Sequence, residues 1–264
     1  GAGLLTTFAA SNTGVGMVRL NSTHRVEDLV LHYAPGVVTV GGRIQSGVIG
    51  PGCTNERYED YRELAQFCVD SKLPLVIDAG ALDLVKGLRD YADAHSRSLS
   101  RAILTPHHGE AARLLAQLGS PRSRADIDAD PAASAKELAL LTGAIILLKS
   151  STTVCSYLHH DQGSRTQEIV SIPQETPWAG VAGSGDVLAG AVAGIAAGFQ
   201  ARAERRQGNP SISEAECATL ASLGAWLHAQ AAFRAGVGSQ GHAHPIQAID
   251  IARALPEIIG ELCS

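Results

Sequence analysis

Short runs of branched apolar residues alternate along the chain with longer stretches whose apolar positions recur every three to four residues. The short runs at 36–40 (GVVTV), 46–50 (SGVIG), 73–79 (LPLVIDA), 101–105 (RAILT), 144–150 (AIILLKS), 153–158 (TVCSYL) and 168–172 (EIVSI) predict β-strands. In 57–71, Tyr61, Leu64, Ala65 and Cys68 fall at i, i+3, i+4 and i+7, which predicts a helix with one buried face. Helical patterns also cover 110–118, 131–142, 186–199, 214–235 and 245–255. The opening GAGLLTTFAASNTGVGMVRL is helical and apolar too. It has neither an initiator Met nor a lead-in, as expected of a chain that starts part-way into a longer protein.

Strands alternating with helices predict an α/β fold: a mainly parallel sheet with helices on both faces. The segment VCSYLHHDQGSRTQEIVSI instead predicts a short antiparallel hairpin with a polar turn. Two polar stretches, 119–131 and 202–214, are expected to be surface loops rather than linkers. No internal repeat is visible, so residues 1–264 are read as a single domain. In sheets of this kind ligands bind beyond the carboxyl ends of the strands. The punctuation there reads GPG (50–52 within GPG), DAGAL (78–82), TPHHGE (105–110), KSSTT (149–153) and AGSGD (182–186).

Composition narrows the function classes. The 264 residues carry a net charge of −5 with scattered basic groups, which argues against nucleic-acid or acidic-membrane partners. Five separated cysteines, Cys53, Cys68, Cys155, Cys217 and Cys263, lack a C-x-x-C spacing and predict reduced thiols in a cytoplasmic protein. No apolar run reaches membrane-spanning length, and no signal peptide is legible.

AGSGDVLAG is the strongest chemical signal. Gly183 and Gly185 permit a tight turn, and the amides of Gly183, Ser184 and Gly185 at a helix start form an anion hole suited to phosphate. Asp186, beside that anion, is placed to take a proton from an attacking hydroxyl. Taken alone, S-G-D reads as a helix cap. The following AGAVAGIAAG implies that something packs close to this helix, which favours the base. Lys149 and the hydroxyls after it suit nucleotide phosphates, though taken alone a strand ending in a solvated Lys is the better reading. His107 would stand at the functional edge as a hydrogen-bonding or acid/base group, and His108 as a plain loop residue.

Other motifs fail on context. GVGSQG (236–241) follows a helix and not a strand, and no G-x-x-x-x-G-K-[ST] occurs. Ser184 lacks a G-x-S-x-G frame. His159–His160 and His242/His244 lack partners at zinc spacing, and no metal cage is legible.

Taken in order and spacing, GPG, IDAGAL, TPHHGE, LLKSSTT and AGSGDVLAG resemble the ADP/ATP-dependent NAD(P)H-hydrate dehydratases, a carbohydrate-kinase-like branch of the ribokinase-like superfamily. The resemblance runs over nearly the whole chain. It implies a ribokinase-like three-layer sandwich and a repair activity that dehydrates NADHX or NADPHX using ADP or ATP, with Mg²⁺ neutralising the transferred phosphoryl group. It assigns Asp186 as the base and Ala2, Gly50, Gly52, His107 and Asp186 as substrate contacts. Lys149, Ser150, Ser151, Thr152, Thr153 and Gly185 fall to the nucleotide. It also implies a homo-oligomer.

The chain departs from the family pattern in four places. A first strand and Gly-rich loop upstream of the opening GA are lacking. Gly80 stands where a second Asp is usual, Ser150 where Gly is usual, and Val181 where Thr is common. A small-molecule kinase of the same superfamily and a catalytically silent nucleotide-binding relative are the alternatives.

Overall fold

In a computed structural model, which describes residues 1–161, 164–206, 211–237 and 241–264, six strands form one sheet in simple chain order. They are β1 (Gly47–Ile49), β2 (Leu75–Ile77), β3 (Ala102–Leu104), β4 (Ile145–Leu148), β5 (Thr152–Asp161) and β6 (Ser164–Pro173). β1 to β4 are parallel, and β5 and β6 add as an antiparallel hairpin. The described helices are α1 (Ala2–Ser11), α2 (His24–Tyr33), α3 (Tyr58–Asp70), α4 (Val85–Ala94), α5 (His108–Gln117), α6 (Arg124–Ala129), α7 (Pro131–Thr142), α8 (Ser184–Ala203), α9 (Glu214–Ala235) and α10 (Ala248–Cys263).

Strand alternation divides the core into two layers. Val76, Ile103, Ile145, Leu147 and Cys155 meet α1, α8, α9 and α10 on one face. Leu75, Ile77, Ala102, Leu104, Ile146 and Leu148 meet α3, α4, α5 and α7 on the other. Successive side chains of a strand point to opposite faces, so strands apolar at every position must be covered on both. The result is the three-layer sandwich expected. The crossovers from β1 to β4 run through helices of the second layer, so each parallel strand is laid beside its predecessor.

Several expectations need correction. The strand predicted at 36–40 is a single parallel bridge, Val38 to Arg19, outside the main sheet. Val38 accepts from Leu20 and donates to Val18, while Val40 is 71% exposed. This run finds one neighbour only. The polar stretch 119–131 holds α6, started by a capping box between Ser123 and Asp126. Its one buried side chain, Ile127, left no periodicity to read. Helices α2 and α4 were likewise missed, α4 with Gly87 inside it. The tip of the predicted hairpin at 162–163, residues 207–210 of the predicted loop 202–214, and residues 238–240 of GVGSQG lie outside the described residues.

Candidate functional site

The register aligns the carboxyl ends of the parallel strands: Ile49 pairs with Ile77, Ile77 with Leu104, and Leu104 with Ile146. The residues that follow, Gly50, Asp78, Thr105 and Lys149, therefore converge on one edge. Asp78 is buried, and its Oδ1 accepts both Lys149 Nζ at 2.6 Å and Thr105 Oγ1 at 2.7 Å. Lys149 Nζ also lies 3.8 Å from Glu110 Oε2. A buried carboxylate is tolerable only with such partners. Gly50 has φ +113, and a Cβ there would overlap the Asp78 carbonyl. This position is closed to other residues, because the loop must pass against the backbone of β2's end.

The start of α8 completes that edge. Gly183 takes φ +90, and a side chain on it would run into Leu5 of α1. Among the described residues the backbone N–H groups of Gly185 and Asp186 have no acceptor, so both point out of the helix end as free donors. Ser184 differs from the expectation. Its N–H donates to Val181 O and its buried hydroxyl meets His228, so it supplies neither group to an anion. A Cβ on Gly185 would lie 3.2 Å from Lys149 Nζ. The ammonium thus lies beside the free amides, with Asp78 Oδ2 3.9 Å from the same point.

Asp186 stands in the first turn of α8, and no side chain hydrogen-bonds its carboxylate among the described residues. Burial, then the nearby charge of Asp78, pushes its pKa above the ordinary carboxylate value, while the Lys149 ammonium opposes the shift. A half-buried, unpaired carboxylate with a raised pKa is a better proton acceptor than an exposed one.

From the other side α1 brings its first residues to the same place. Thr6 Oγ1 donates to Asp186 O at 3.1 Å, and a Cβ on Gly52 would lie 3.3 Å from the Ala2 methyl. His107 caps α5: its Nδ1 accepts from the N–H groups of Gly109 and Glu110, and Glu110 Oε2 accepts from the His107 N–H. With Nδ1 occupied as an acceptor, Nε2 is the ring position left to carry a proton. Its side chain is 60% exposed. The strand-like bridge between His107 and Lys149 sets the two side by side. His107 Nε2 lies 3.6 Å from Glu110 Oε1, so the exposed ring stands at this edge beside a carboxylate.

A family model described as NAD(P)H-hydrate dehydratase matches residues 1–254. The chain belongs to this family. Among its relatives, the bifunctional NAD(P)H-hydrate repair enzyme Nnr of Mycobacterium tuberculosis H37Rv is 34% identical over 202 residues, 75% of this chain and 38% of that protein. The ADP-dependent (S)-NAD(P)H-hydrate dehydratase of Neisseria meningitidis serogroup B is 35% identical over 163 residues, 60% of this chain and 44% of its own. The chain spans less than half the length of these curated relatives. The Bacillus subtilis ADP/ATP-dependent NAD(P)H-hydrate dehydratase, co-crystallised with ATP and Mg²⁺, superposes with a TM-score of 0.69 at 21% identity. That match covers 98% of this chain and 84% of that one. At this identity it shows the shared ribokinase-like fold.

Against this dehydratase family, the residues named from sequence fall into three groups. Ala2, Gly50, Gly52, Lys149, Gly183, Gly185 and Asp186 meet at the sheet's carboxyl edge, with His107 beside Lys149. Ser150, Ser151 and Thr152 follow Lys149 on the rim, the latter two exposed, whereas Thr153 is buried. The small residues of α8 are spoken for by other helices: Gly190 lies against the Thr6 carbonyl of α1, and Val192 against Gly224 of α9. They mark helix packing, not a ligand.

Sequence reasoning missed Asp78, Thr105, Glu110 and His228. A lone Asp at the end of the apolar run LPLVID was the available signal for Asp78. Glu110 had a local signal too, three residues after His107 in TPHHGE as the second half of a capping box. Thr105 and His228 had none, because their partners lie far along the chain. His108, read as a plain loop residue, pairs with Asp128 and ties α5 to α6. Among the described residues no group of three or more His, Cys, Asp and Glu could cage a metal, and no helix is long and apolar enough to cross a membrane. A cavity of about 420 Å³ lies at the opposite end of the sheet, between Lys72, Arg97 and Arg101, away from this chemistry.

Proposed function

We propose that this chain dehydrates hydrated NADH or NADPH (NADHX, NADPHX) at the expense of ADP or ATP. The observation that carries this reading is the convergence of the free α8 amides, the Lys149 ammonium and the unpaired Asp186 carboxylate. A terminal phosphate of the nucleotide fits between Lys149 and the N–H groups of Gly185 and Asp186, where a Cβ on Gly185 would intrude. Lys149 to Thr152 and Gly185 are proposed to line the nucleotide. Magnesium ordinarily keeps several waters and is held by phosphates with one or two carboxylates, which suits a site without a protein cage. When bound, the nucleotide and its metal supply an electrophilic phosphoryl group.

The chain's own residues do the rest. Asp186 takes the proton of the ring hydroxyl as that oxygen is phosphorylated, with AMP or ADP as the leaving group. Loss of phosphate together with a proton from the adjacent ring carbon then forms the double bond and restores the nicotinamide ring. Loss of the C–O bond is assisted by the amides and Lys149, which hold the departing charge. His107 Nε2–H, Gly50, Gly52 and Ala2 are proposed to orient the hydrated substrate. The free cysteines accord with the cytoplasm, where we place the reaction. We also propose self-association through the apolar face around Trp226, Phe233 and Leu262, which are 36%, 45% and 54% exposed.

The test is turnover. Chemically hydrated NADH is incubated with the protein, Mg²⁺ and either ADP or ATP, and the near-ultraviolet absorbance of NADH is followed. Nucleotide-dependent recovery establishes the reading. Tight nucleotide binding without recovery overturns it in favour of a kinase for another alcohol or a silent relative.

A further inference from the structure

We propose that His228, on α9, is the positioning residue that holds the first turn of α8 in place for phosphate binding. The inference rests on the nucleotide site proposed above. The imidazole is buried, yet among the described residues it hydrogen-bonds only one, 44 positions away in sequence. Nε2 lies 3.0 Å from Ser184 O and 3.0 Å from Ser184 Oγ. Ser184 immediately precedes the two residues whose amides are free.

The packing explains how α9 can reach. Gly224 sits one turn before His228 on the same face of α9, and a Cβ there would lie 2.6 Å from Val192 Cγ2 of α8. That close approach brings the next turn's side chain onto the backbone at the start of α8. Burial, with Lys149's charge adding to it, drives the His228 pKa down to about 4, so the ring is neutral at physiological pH. A neutral imidazole has one N–H. Nδ1 is buried and has no partner among the described residues. Placing the proton there would strand a donor, so it belongs on Nε2 and is given to the Ser184 carbonyl.

The consequence is geometric. Ser184 N–H is already fixed by Val181 O, and its carbonyl is now fixed by His228. With both ends of Ser184 tied, its φ and ψ are fixed. Its carbonyl shares one peptide plane with the Gly185 N–H, so that amide, and Asp186's after it, is held pointing outward before any anion arrives. Preorganised donors cost no reorientation on binding. His228 touches neither nucleotide nor substrate in this account. Its effect passes through Ser184.

The experiment compares His228→Gln with His228→Asn in the intact chain, by calorimetric titration with Mg²⁺–ADP and by steady-state kinetics. Both replacements bury an amide, but only Gln extends far enough for its nitrogen to replace Nε2. We expect His228→Asn to weaken ADP binding on the order of tenfold, as one lost hydrogen bond would, and to raise the KM for nucleotide more than it lowers kcat. His228→Gln should stay within about threefold of the parent. Ser184→Ala, which keeps the carbonyl, should bind ADP like the parent. Equal ADP affinity in parent and His228→Asn, both shown folded by circular dichroism, overturns the inference while leaving the nucleotide site intact. Equal weakening by Asn and Gln, or a loss in Ser184→Ala as large as that of His228→Asn, overturns it as well. Failure of the parent itself to bind ADP overturns the nucleotide reading, and this inference with it.

Discussion

Lys149 and Asp78 form an ion pair of 2.6 Å in which the carboxylate is 3% exposed and the ammonium 19% exposed. The lysine is thus shared between a buried structural partner and the open edge where the α8 amides emerge. Removing it strands a buried charge, which commonly costs more than the pair itself contributes. Lys149→Met should destabilise the chain by about 3 kcal/mol in urea unfolding, and the double variant with Asp78→Asn should recover most of that loss. Both should bind nucleotide poorly, since the ammonium is absent from each.

Asp186→Asn separates chemistry from binding. Turnover should fall by ~10²–10⁴-fold, the range for a lost general base, with ADP affinity held near the parent's. In the parent, the acid limb of kcat/KM should fall above the ordinary carboxylate pKa, because burial and Asp78 raise that of Asp186.

The same shift has a sign for stability. A carboxylate whose pKa is higher folded than unfolded binds protons more tightly in the native state, so stability falls as pH rises from the unfolded pKa to the folded one. At neutral pH the full penalty is present. Asp186→Asn should therefore be more stable than the parent at pH 7, with the difference vanishing below the ordinary carboxylate pKa. Thermal melts at several pH values would check this. A variant less stable at pH 7 would mean that the carboxylate is satisfied by a group not seen here.

His107→Asn distinguishes capping from contact. Asn is itself a good N-cap, so the stability of α5 should be kept within about 0.5 kcal/mol, whereas His107→Ala should lose about 1 kcal/mol. Both lack the imidazole Nε2 and should raise the KM for the hydrated dinucleotide roughly tenfold. Kinetics alongside melts would show the split.

Gly190→Ala tests the close contact of α1 and α8. Its Cβ would overlap the Thr6 carbonyl, and the helices would have to part. A loss of about 2–3 kcal/mol is expected, together with reduced activity, because Thr6 also holds Asp186 O.

Much of the architecture was legible because it rests on local periodicity. The helices at 131–142 and 214–235 appear with the predicted bounds, and the strand runs LPLVI and AIILL are apolar at successive positions because the sheet is covered twice. The run GVVTV is as apolar as these and fails to join the sheet. Propensity alone does not supply a neighbouring strand in register. Helix α6 was hidden by its length, with one buried residue in six.

The sequence by itself determined an α/β sandwich, the functional edge, and the glycine-flanked Asp186 at a helix start. These follow from side-chain period and from residues whose backbone needs are intrinsic. Only the tertiary structure decided that Asp78 neutralises Lys149, that Ser184 turns inward to His228, and that the small residues of α8 answer α1 and α9. Each joins residues more than thirty positions apart, and such pairings are set by how helices and strands pack, which no local pattern encodes.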